Sequence, residues 1–224
     1  MRKPVVTIDG PAGSGKSTTA RRVAAELGYI YLDTGAMYRA MTAKALRKGI
    51  DLDDPGALAR LARDTDIAVR PAPDGTRVIL DGIDVTDEIR TPEVTKASSP
   101  VSAAAGVRER MVELQRQVGA GGGIVAEGRD IGSVVFKDAE VKIYLDASLA
   151  CRALRRKKEL EAAGTQVTLE NMMKDIALRD AYDSSREHSP LMIPEGAIIV
   201  NTTDMSIEDQ VKRVVEEVRK KTGE

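Results

Sequence analysis

The chain has 224 residues, of which 42% are hydrophobic and 31% charged, and its 34 Lys and Arg nearly balance its 35 Asp and Glu. This composition is typical of a water-soluble globular protein, and no apolar run approaches the roughly 20 residues of a membrane-spanning helix. The near-zero net charge and the lack of Trp disfavour a nucleic-acid surface, while a single cysteine (Cys151) and a single histidine (His188) exclude an internal disulfide and a multi-histidine metal site.

Apolar, β-branched runs alternate with helical patterns along the chain. Strands are expected over 4–9, 29–32, 123–126, 141–145 and 197–200. A helix is expected after the first strand, with further helices over 35–48, 107–118, 148–163, 168–187 and 206–220. This alternation predicts an α/β fold whose parallel sheet carries helices on both faces.

One segment interrupts the alternation, between about residues 63 and 92. There the pairs Asp74-Gly75 and Asp81-Gly82 separate short β-branched runs. Asp-Gly pairs in that setting are typical of β-hairpins. The sequence therefore predicts a small β-rich insert in the α/β core.

A glycine-rich loop follows the first predicted strand. Residues 10–17 read GPAGSGKS and match the pattern G-x-x-x-x-G-K-[ST]. Its glycines let backbone N–H groups turn toward phosphate oxygens, and the helix N-terminus that follows favours negative charge. Lys16 is expected to reach the β- and γ-phosphates and Ser17 to bind Mg²⁺, so the chain is predicted to bind ATP or GTP.

Two classes of nucleotide-binding protein are disfavoured. A regulatory GTPase needs an Asn-Lys-x-Asp segment, which is missing from the sequence. A nucleic-acid-stimulated ATPase needs a basic surface that bears aromatic residues, which this composition does not favour. Phosphoryl transfer to a small acceptor remains. Because that chemistry depends on positioning and on stabilising charge, it predicts clusters of arginine.

Four segments supply such arginines. They are Arg39 after the second strand, Arg129-Asp130 in a loop after the third, the basic run 152–158, and the helical face formed by Arg179, Asp183 and Arg186. Each also has a structural interpretation. The basic run fits a solvated helix surface, the face formed by Arg179, Asp183 and Arg186 fits intrahelical ion pairs, and Arg39 fits a surface charge.

The chain resembles the bacterial cytidylate kinases, which are P-loop nucleoside monophosphate kinases, from about residue 3 to 215. The resemblance rests on these segments in this order: IDGPAGSGKST, LDTGAMYR, EIRTPEV, EGRDIGSVVF, VKIYLDAS, RDAYDSSR and SPLMIPEGAIIVNTT. It implies transfer of the ATP γ-phosphate to CMP or dCMP with Mg²⁺, as part of pyrimidine metabolism. It also implies a monomer, which we expect to be cytoplasmic and without nucleic-acid or membrane partners.

The fold implied by the resemblance is a three-layer P-loop NTPase fold with a five-stranded parallel sheet. It is expected to form one kinase domain over residues 1–224. The core would comprise about 1–62, 93–150 and 190–224, with the nucleotide-binding insert at about 63–92. A helical lid would cover about 151–168.

The same resemblance implies roles for individual residues. The donor ATP would be held by Gly10, Pro11, Ala12, Gly13, Ser14, Gly15, Lys16, Ser17 and Thr18. The acceptor phosphate would be held by Thr34, Arg39, Arg129, Arg179 and Arg186. The base would meet Ser99, Arg108 and Asp130, the sugar hydroxyl would meet Asp183, and the lid residues Arg155 and Arg156 would close on the donor phosphates. The catalytic groups would be Lys16, Arg129, Arg155, Arg156, Arg179 and Arg186.

Asp130 is the candidate discriminator between pyrimidines. A carboxylate accepts a hydrogen bond from the cytosine N4 amino group, whereas uracil presents an acceptor at that position. Glu127 and Asn201 stand where the family pattern commonly has aspartate. Three alternatives stay open at this point: UMP or AMP as acceptor, a metabolite hydroxyl as acceptor, and a nucleotide-sensing domain without turnover.

Overall fold

A computed structural model describes residues 2–72, 75–162 and 164–223. The described residues form these strands: β1 (Val5–Asp9), β2 (Ile30–Asp33), β3 (Ile67–Ala72), β4 (Gly75–Leu80), β5 (Ile83–Asp84), β6 (Ile124–Gly128), β7 (Val141–Asp146) and β8 (Ile198–Asn201). The helices are α1 (Lys16–Leu27), α2 (Thr34–Arg47), α3 (Pro55–Arg63), α4 (Pro92–Ala103), α5 (Ala105–Gly119), α6 (Leu149–Ala162), α7 (Leu169–Ser185) and α8 (Ile207–Thr222).

Five strands form the central sheet in the order β2-β6-β1-β7-β8, and all neighbouring pairs are parallel. Val6 and Ile8 of β1 pack with α1 and α8 on one face of this sheet. Val5, on the opposite face, packs with residues of α2, α3 and α5. The predicted α/β fold with a five-stranded parallel sheet and helices on both faces is confirmed.

The β-rich segment forms a second, antiparallel sheet in the order β3-β4-β5. Asp81 and Gly82 join β4 to β5 and have positive φ angles of 48° and 83°, as a two-residue type I′ turn requires. The other predicted turn, Asp74-Gly75, falls on residue 74, which lies outside the described residues. Val78 and Leu80 pack into the same cluster as α2 and α5, so the insert shares the core of the main sheet.

Two helices were not predicted from the sequence, namely α3 and α4. Each begins with a capping residue followed by proline: the Asp54 carboxylate accepts the Ala57 N–H at 2.9 Å, and the Thr91 hydroxyl accepts the Val94 N–H at 3.4 Å. These are recognisable helix-start signals. In α4, an internal proline and three serines concealed the helix.

Helices α6 and α7 pack against each other around Ala153, Met172 and Ile176. This cluster is separate from the two clusters that cover the central sheet. A separate small core is what a lid that moves as a unit requires, but the predicted lid bounds of 151–168 remain a prediction, and residue 163 lies outside the described part. No described helix is both long and apolar enough to cross a membrane.

Candidate active site

The glycine-rich loop connects β1 to α1 at the carboxyl edge of the sheet. Gly10, Gly13 and Gly15 have φ angles of 146°, 76° and 97°, which side chains other than glycine rarely adopt. A Cβ atom on Gly10 would lie 2.1 Å from the Leu145 carbonyl oxygen, so the loop leaves no room for a side chain there. The helix N-terminus at Lys16 leaves backbone N–H groups free for an anion.

Lys16 is enclosed by this loop. Only 5% of the residue is exposed, and Nζ donates a hydrogen bond to the Pro11 carbonyl oxygen at 2.6 Å. Burial, together with the positive charge of Arg129, lowers the pKa of Lys16 to about 7. A negatively charged phosphate beside Nζ would reverse this effect, because it favours the protonated amine.

Glu127 lies near the end of β6, facing the loop. Its carboxylate accepts a hydrogen bond from the Tyr31 hydroxyl at 2.9 Å and also interacts with the Ser17 hydroxyl. Burial and the negative charge of Asp33 raise the pKa of Glu127. The Thr34 hydroxyl donates to the Glu127 backbone carbonyl at 2.7 Å, which ties the start of α2 to β6. These oxygen donors are of the kind that Mg²⁺ prefers.

One carboxylate organises two of the predicted acceptor arginines. Asp183 is 2% exposed, its Oδ2 accepts from Arg129 Nε at 2.9 Å, and its Oδ1 pairs with Arg186. Arg129 Nη1 also donates to the Gly10 carbonyl oxygen at 3.0 Å. The two arginines are therefore held beside the phosphate loop.

Arg179 lies one helical turn before Asp183 on α7. The residue is exposed to solvent, and desolvation together with the charge of nearby Arg129 lowers the pKa of Arg179 to about 10. Arg39 is fixed from the other side, because its Nη2 donates to Asp33 Oδ2 at 3.0 Å. Like charges gathered in this way are costly to the free protein and create a site for an anion.

The predicted base-reading residues form a buried ion pair. Asp130 pairs with Arg108, and each is 4% exposed. Arg108 also donates to the Ser102 carbonyl oxygen at 3.0 Å, and its guanidinium lies 5.3 Å from the centre of the Tyr38 ring. Ser99 lies about one helical turn before Ser102 on α4, and its carbonyl oxygen accepts from the Ser102 hydroxyl at 3.0 Å.

The predicted lid arginines occupy different surroundings. Arg155 donates to the Thr202 carbonyl oxygen at 2.6 Å and contacts the Ser14 carbonyl oxygen at 3.4 Å, so it lies against the phosphate loop. Arg156 is exposed and pairs with Glu159 on its own helix at 2.9 Å. Asn201 caps the following turn, because its Oδ1 accepts the Thr203 N–H at 3.0 Å.

Arg152 contacts the site but was not singled out by the sequence. Its guanidinium donates to the carbonyl oxygens of Ala12 and Ala147 at 3.1 and 3.0 Å and pairs with Asp180 at 2.5 Å. It thereby joins the phosphate loop to α6 and α7. Its position in the basic run 152–158 concealed it, because sequence alone does not show which arginine of such a run is buried.

The fold and the site define a P-loop kinase with a second, arginine-lined site beside the phosphate loop. The cytidylate kinase family profile matches residues 6–220. The chain is 50% identical over 217 residues to a cytidylate kinase of Caldanaerobacter subterraneus subsp. tengcongensis, covering 97% of this chain and 95% of that protein. It is 51% identical over 216 residues to one of Pelotomaculum thermopropionicum, covering 96% of each chain. The chain belongs to the cytidylate kinase family.

A longer relative contains the same unit. A bifunctional pantoate ligase/cytidylate kinase of a Synechococcus species is 47% identical over 228 residues, covering 99% of this chain and 42% of that protein. Among solved structures, a shikimate kinase from Bacteroides thetaiotaomicron aligns over 99% of both chains at 14% identity with a TM-score of 0.48, which is too low to bear on the fold.

The lowered pKa of Lys16 predicts that ATP binding takes up protons. Above pH 7 the amine is largely neutral in the free protein, and the ATP phosphates favour its charged form. Calorimetric titration at pH 8 in buffers of different ionisation enthalpy should show an uptake approaching one proton per ATP. At pH 6 the uptake should be much smaller, because Lys16 is already charged.

The matched control is Lys16→Arg, which keeps the positive charge but does not titrate in this range. It should bind ATP with little proton uptake at pH 8. An uptake equal to that of the unaltered protein would assign the proton to another group.

Proposed function

We propose that the protein transfers the γ-phosphoryl group of ATP to CMP or dCMP, giving ADP and CDP or dCDP. The observation that carries this function is the match to cytidylate kinases at about half identity over nearly the whole chain. The second site beside the phosphate loop fits the same reaction, because it combines arginines for an acceptor phosphate with a polar pair for a base. We also propose that the protein acts as a cytoplasmic monomer.

On the donor side, the backbone of residues 10–18 holds the ATP phosphates, and Lys16 lies beside the β- and γ-phosphates. Ser17 and Glu127 would hold Mg²⁺, Ser17 directly and Glu127 directly or through water, because their oxygens already lie next to each other. When bound, the ion neutralises negative charge on the phosphates. The negative charge of Glu127 partly opposes the lowering of the Lys16 pKa by burial and by Arg129.

On the acceptor side, Arg39, Arg129, Arg179 and Arg186 neutralise the CMP phosphate and aim one of its oxygens at the γ-phosphorus. That oxygen forms the new P–O bond, and the bond to the β-phosphate oxygen breaks, so that its electron pair leaves with ADP. The CMP phosphate is already ionised at neutral pH, so the reaction needs no general base. Thr34 would contact the CMP phosphate at the edge of this site, and the hydrogen bond from its hydroxyl to the Glu127 carbonyl oxygen fixes it to β6.

Asp183 is proposed to meet the sugar hydroxyl as well as the two arginines. Each carboxylate oxygen accepts one guanidinium N–H in the structure and has a further lone pair. Asp183 therefore couples sugar binding to the position of Arg129 and Arg186. The lid arginines Arg155 and Arg156 are proposed to exchange their present partners for the donor phosphates when the lid closes and excludes water.

The experiment that tests the function is an ADP-release assay with Mg-ATP and a panel of acceptors: CMP, dCMP, UMP, AMP and shikimate. CMP and dCMP should give turnover well above the others. If UMP or AMP matched CMP, the kinase class would stand and the base assignment would be wrong. ATP binding without acceptor-dependent ADP release would favour a nucleotide-sensing domain.

Asp130→Ala should narrow the preference for CMP over UMP. Asp130 accepts from the cytosine N4 amino group and faces an acceptor in uracil, so its removal costs CMP a hydrogen bond and relieves UMP of a repulsion. The ratio of kcat/KM for the two acceptors should fall by at least tenfold, about 1.4 kcal/mol. Asp54→Ala, at an exposed helix start, is the control. An unchanged ratio would show that Asp130 does not read the base.

Arg186→Ala should lower kcat far more than it weakens ATP binding. The guanidinium lies at the acceptor site on the Asp183 carboxylate, and an arginine acting on the transition state is worth roughly 10³-fold in rate. Measured kcat with CMP should fall by roughly that factor, with the Kd for ATP changed less than threefold. Arg213→Ala, an exposed arginine on α8, serves as the control. Turnover within twofold of the unaltered enzyme would contradict the assignment.

A further inference from the structure

Asp9 is a buried carboxylate that no step of the proposed reaction uses. It is the last residue of β1, directly before Gly10, and it is fully buried at 0% exposure. In the sheet it lies between Gly128 of β6 and Tyr144 of β7. A carboxylate in such a place is costly unless hydrogen bonds compensate for its lost hydration, so its partners indicate why it is there.

Both carboxylate oxygens accept backbone N–H groups from one loop. Oδ1 accepts from Ile131 at 2.7 Å, and Oδ2 accepts from Gly132 at 2.8 Å. These two residues immediately follow Asp130, the proposed base reader. Burial raises the pKa of Asp9 to about 6, so the group is mostly ionised at neutral pH and both oxygens are available as acceptors.

The loop has no other partner for these donors among the described residues. Ile131–Val135 form one turn of π-helix, in which the Asp130 carbonyl oxygen accepts from Val134 at 2.9 Å and from Val135 at 3.2 Å. The first N–H groups of a helical turn have no acceptor within it. Asp9 supplies that acceptor from a different strand. Asp130 is therefore held on two sides: its carbonyl oxygen bonds within the turn, and the N–H groups of the next two residues bond to the Asp9 carboxylate.

The approach of the loop to β1 is also close. A Cβ atom on Gly132 would lie 2.8 Å from the Thr7 hydroxyl and 3.2 Å from Asp9 Oδ2. Gly132 does not have a positive φ, so its role here is space and not backbone conformation. The loop therefore depends on glycine to reach the carboxylate.

We propose that Asp9 is a positioning residue for the acceptor base: by holding the N–H groups of Ile131 and Gly132, it fixes the Asp130 carboxylate and thereby the selectivity for CMP over UMP. This inference rests on the proposed role of Asp130. Arg108 pairs with Asp130 from the other side, so a displaced Asp130 would also move the base anchor. The ATP site should be affected less, since both carboxylate oxygens of Asp9 bond the loop after Asp130, whereas the phosphate loop is held by Arg129, Arg152 and Arg155.

The test is Asp9→Asn, which keeps the size of the side chain but turns one acceptor into an N–H₂ donor that faces the donor of the loop. The KM for CMP should rise about tenfold and the ratio of kcat/KM for CMP over UMP should fall about tenfold, because a small displacement of a recognition group has a large effect. The Kd for ATP should stay within twofold. Asp54→Asn is the matched control, as an exposed carboxylate that also accepts a backbone N–H.

Gly132→Ala tests the same contact from the loop side, and it is the deciding test of the positioning role if Asp9→Asn does not fold. Its added methyl group should produce the same loss of selectivity with unchanged ATP binding. An unchanged ratio in the variant that folds would overturn the proposal, as would a parallel loss of ATP and CMP binding with the ratio intact, which indicates a purely structural role.

The experiments distinguish failure of the Asp9 role from failure of the Asp130 assignment and of the proposed function. If Asp130→Ala keeps the selectivity, the base assignment fails and the role of Asp9 fails with it. If Asp130→Ala loses selectivity and Asp9→Asn does not, only the positioning role is wrong. If the unaltered protein does not phosphorylate CMP, the proposed function itself fails.

Discussion

The register between neighbouring parallel strands is the constraint on which the site depends. Asp9 of β1 pairs with Gly128 of β6, and Asp33 of β2 pairs with Glu127. The phosphate loop, the Arg129 loop and the start of α2 therefore leave the sheet at the same level and on neighbouring strands. Because all strands point the same way, their carboxyl ends form one edge, where ligands of open α/β sheets bind. A shift of one residue in either pairing would turn these side chains to opposite faces.

At that edge the protein gathers positive charge although its net charge is only −1. Carboxylates at this edge make this possible, because they pair with the arginines gathered there. Asp183 holds Arg129 and Arg186 together, and Asp180 receives Arg152 while also accepting the Ala12 N–H at 3.4 Å. The arrangement is still unfavourable for the amine of Lys16, whose pKa is lowered to about 7. Bound phosphates would remove this electrostatic cost, because they favour the charged amine. Part of the free energy of nucleotide binding therefore comes from relieving a cost that the folded protein carries without ligand.

The general fold and the phosphate loop could be read from the sequence, because strand periodicity and the spacing of Gly10, Lys16 and Ser17 have direct structural causes. The β-hairpin at Asp81-Gly82 could be read for the same reason. The ion pair of Arg108 with Asp130 could not, since the two residues lie 22 positions apart and sequence gives no distance between α5 and the loop after β6. Arg152 and Asp9 were missed because their function lies in partners from other elements, and a basic run or a strand end looks ordinary without them.

In the proposed site, base recognition and phosphate transfer both depend on hydrogen bonds to the same short stretch of chain, Asp9 and Gly10. Arg129 donates to the Gly10 carbonyl oxygen, while the two N–H groups that follow Asp130 donate to Asp9, the residue before Gly10. In the proposed assignment, the same short loop carries Arg129 for the acceptor phosphate and Asp130 for the base, and both are tied to the start of the phosphate loop. A base that displaces Asp130 would also shift Arg129 away from the transferring group. Discrimination would therefore act on the rate of transfer as well as on binding, which is how a site converts a single hydrogen bond into selectivity in kcat/KM.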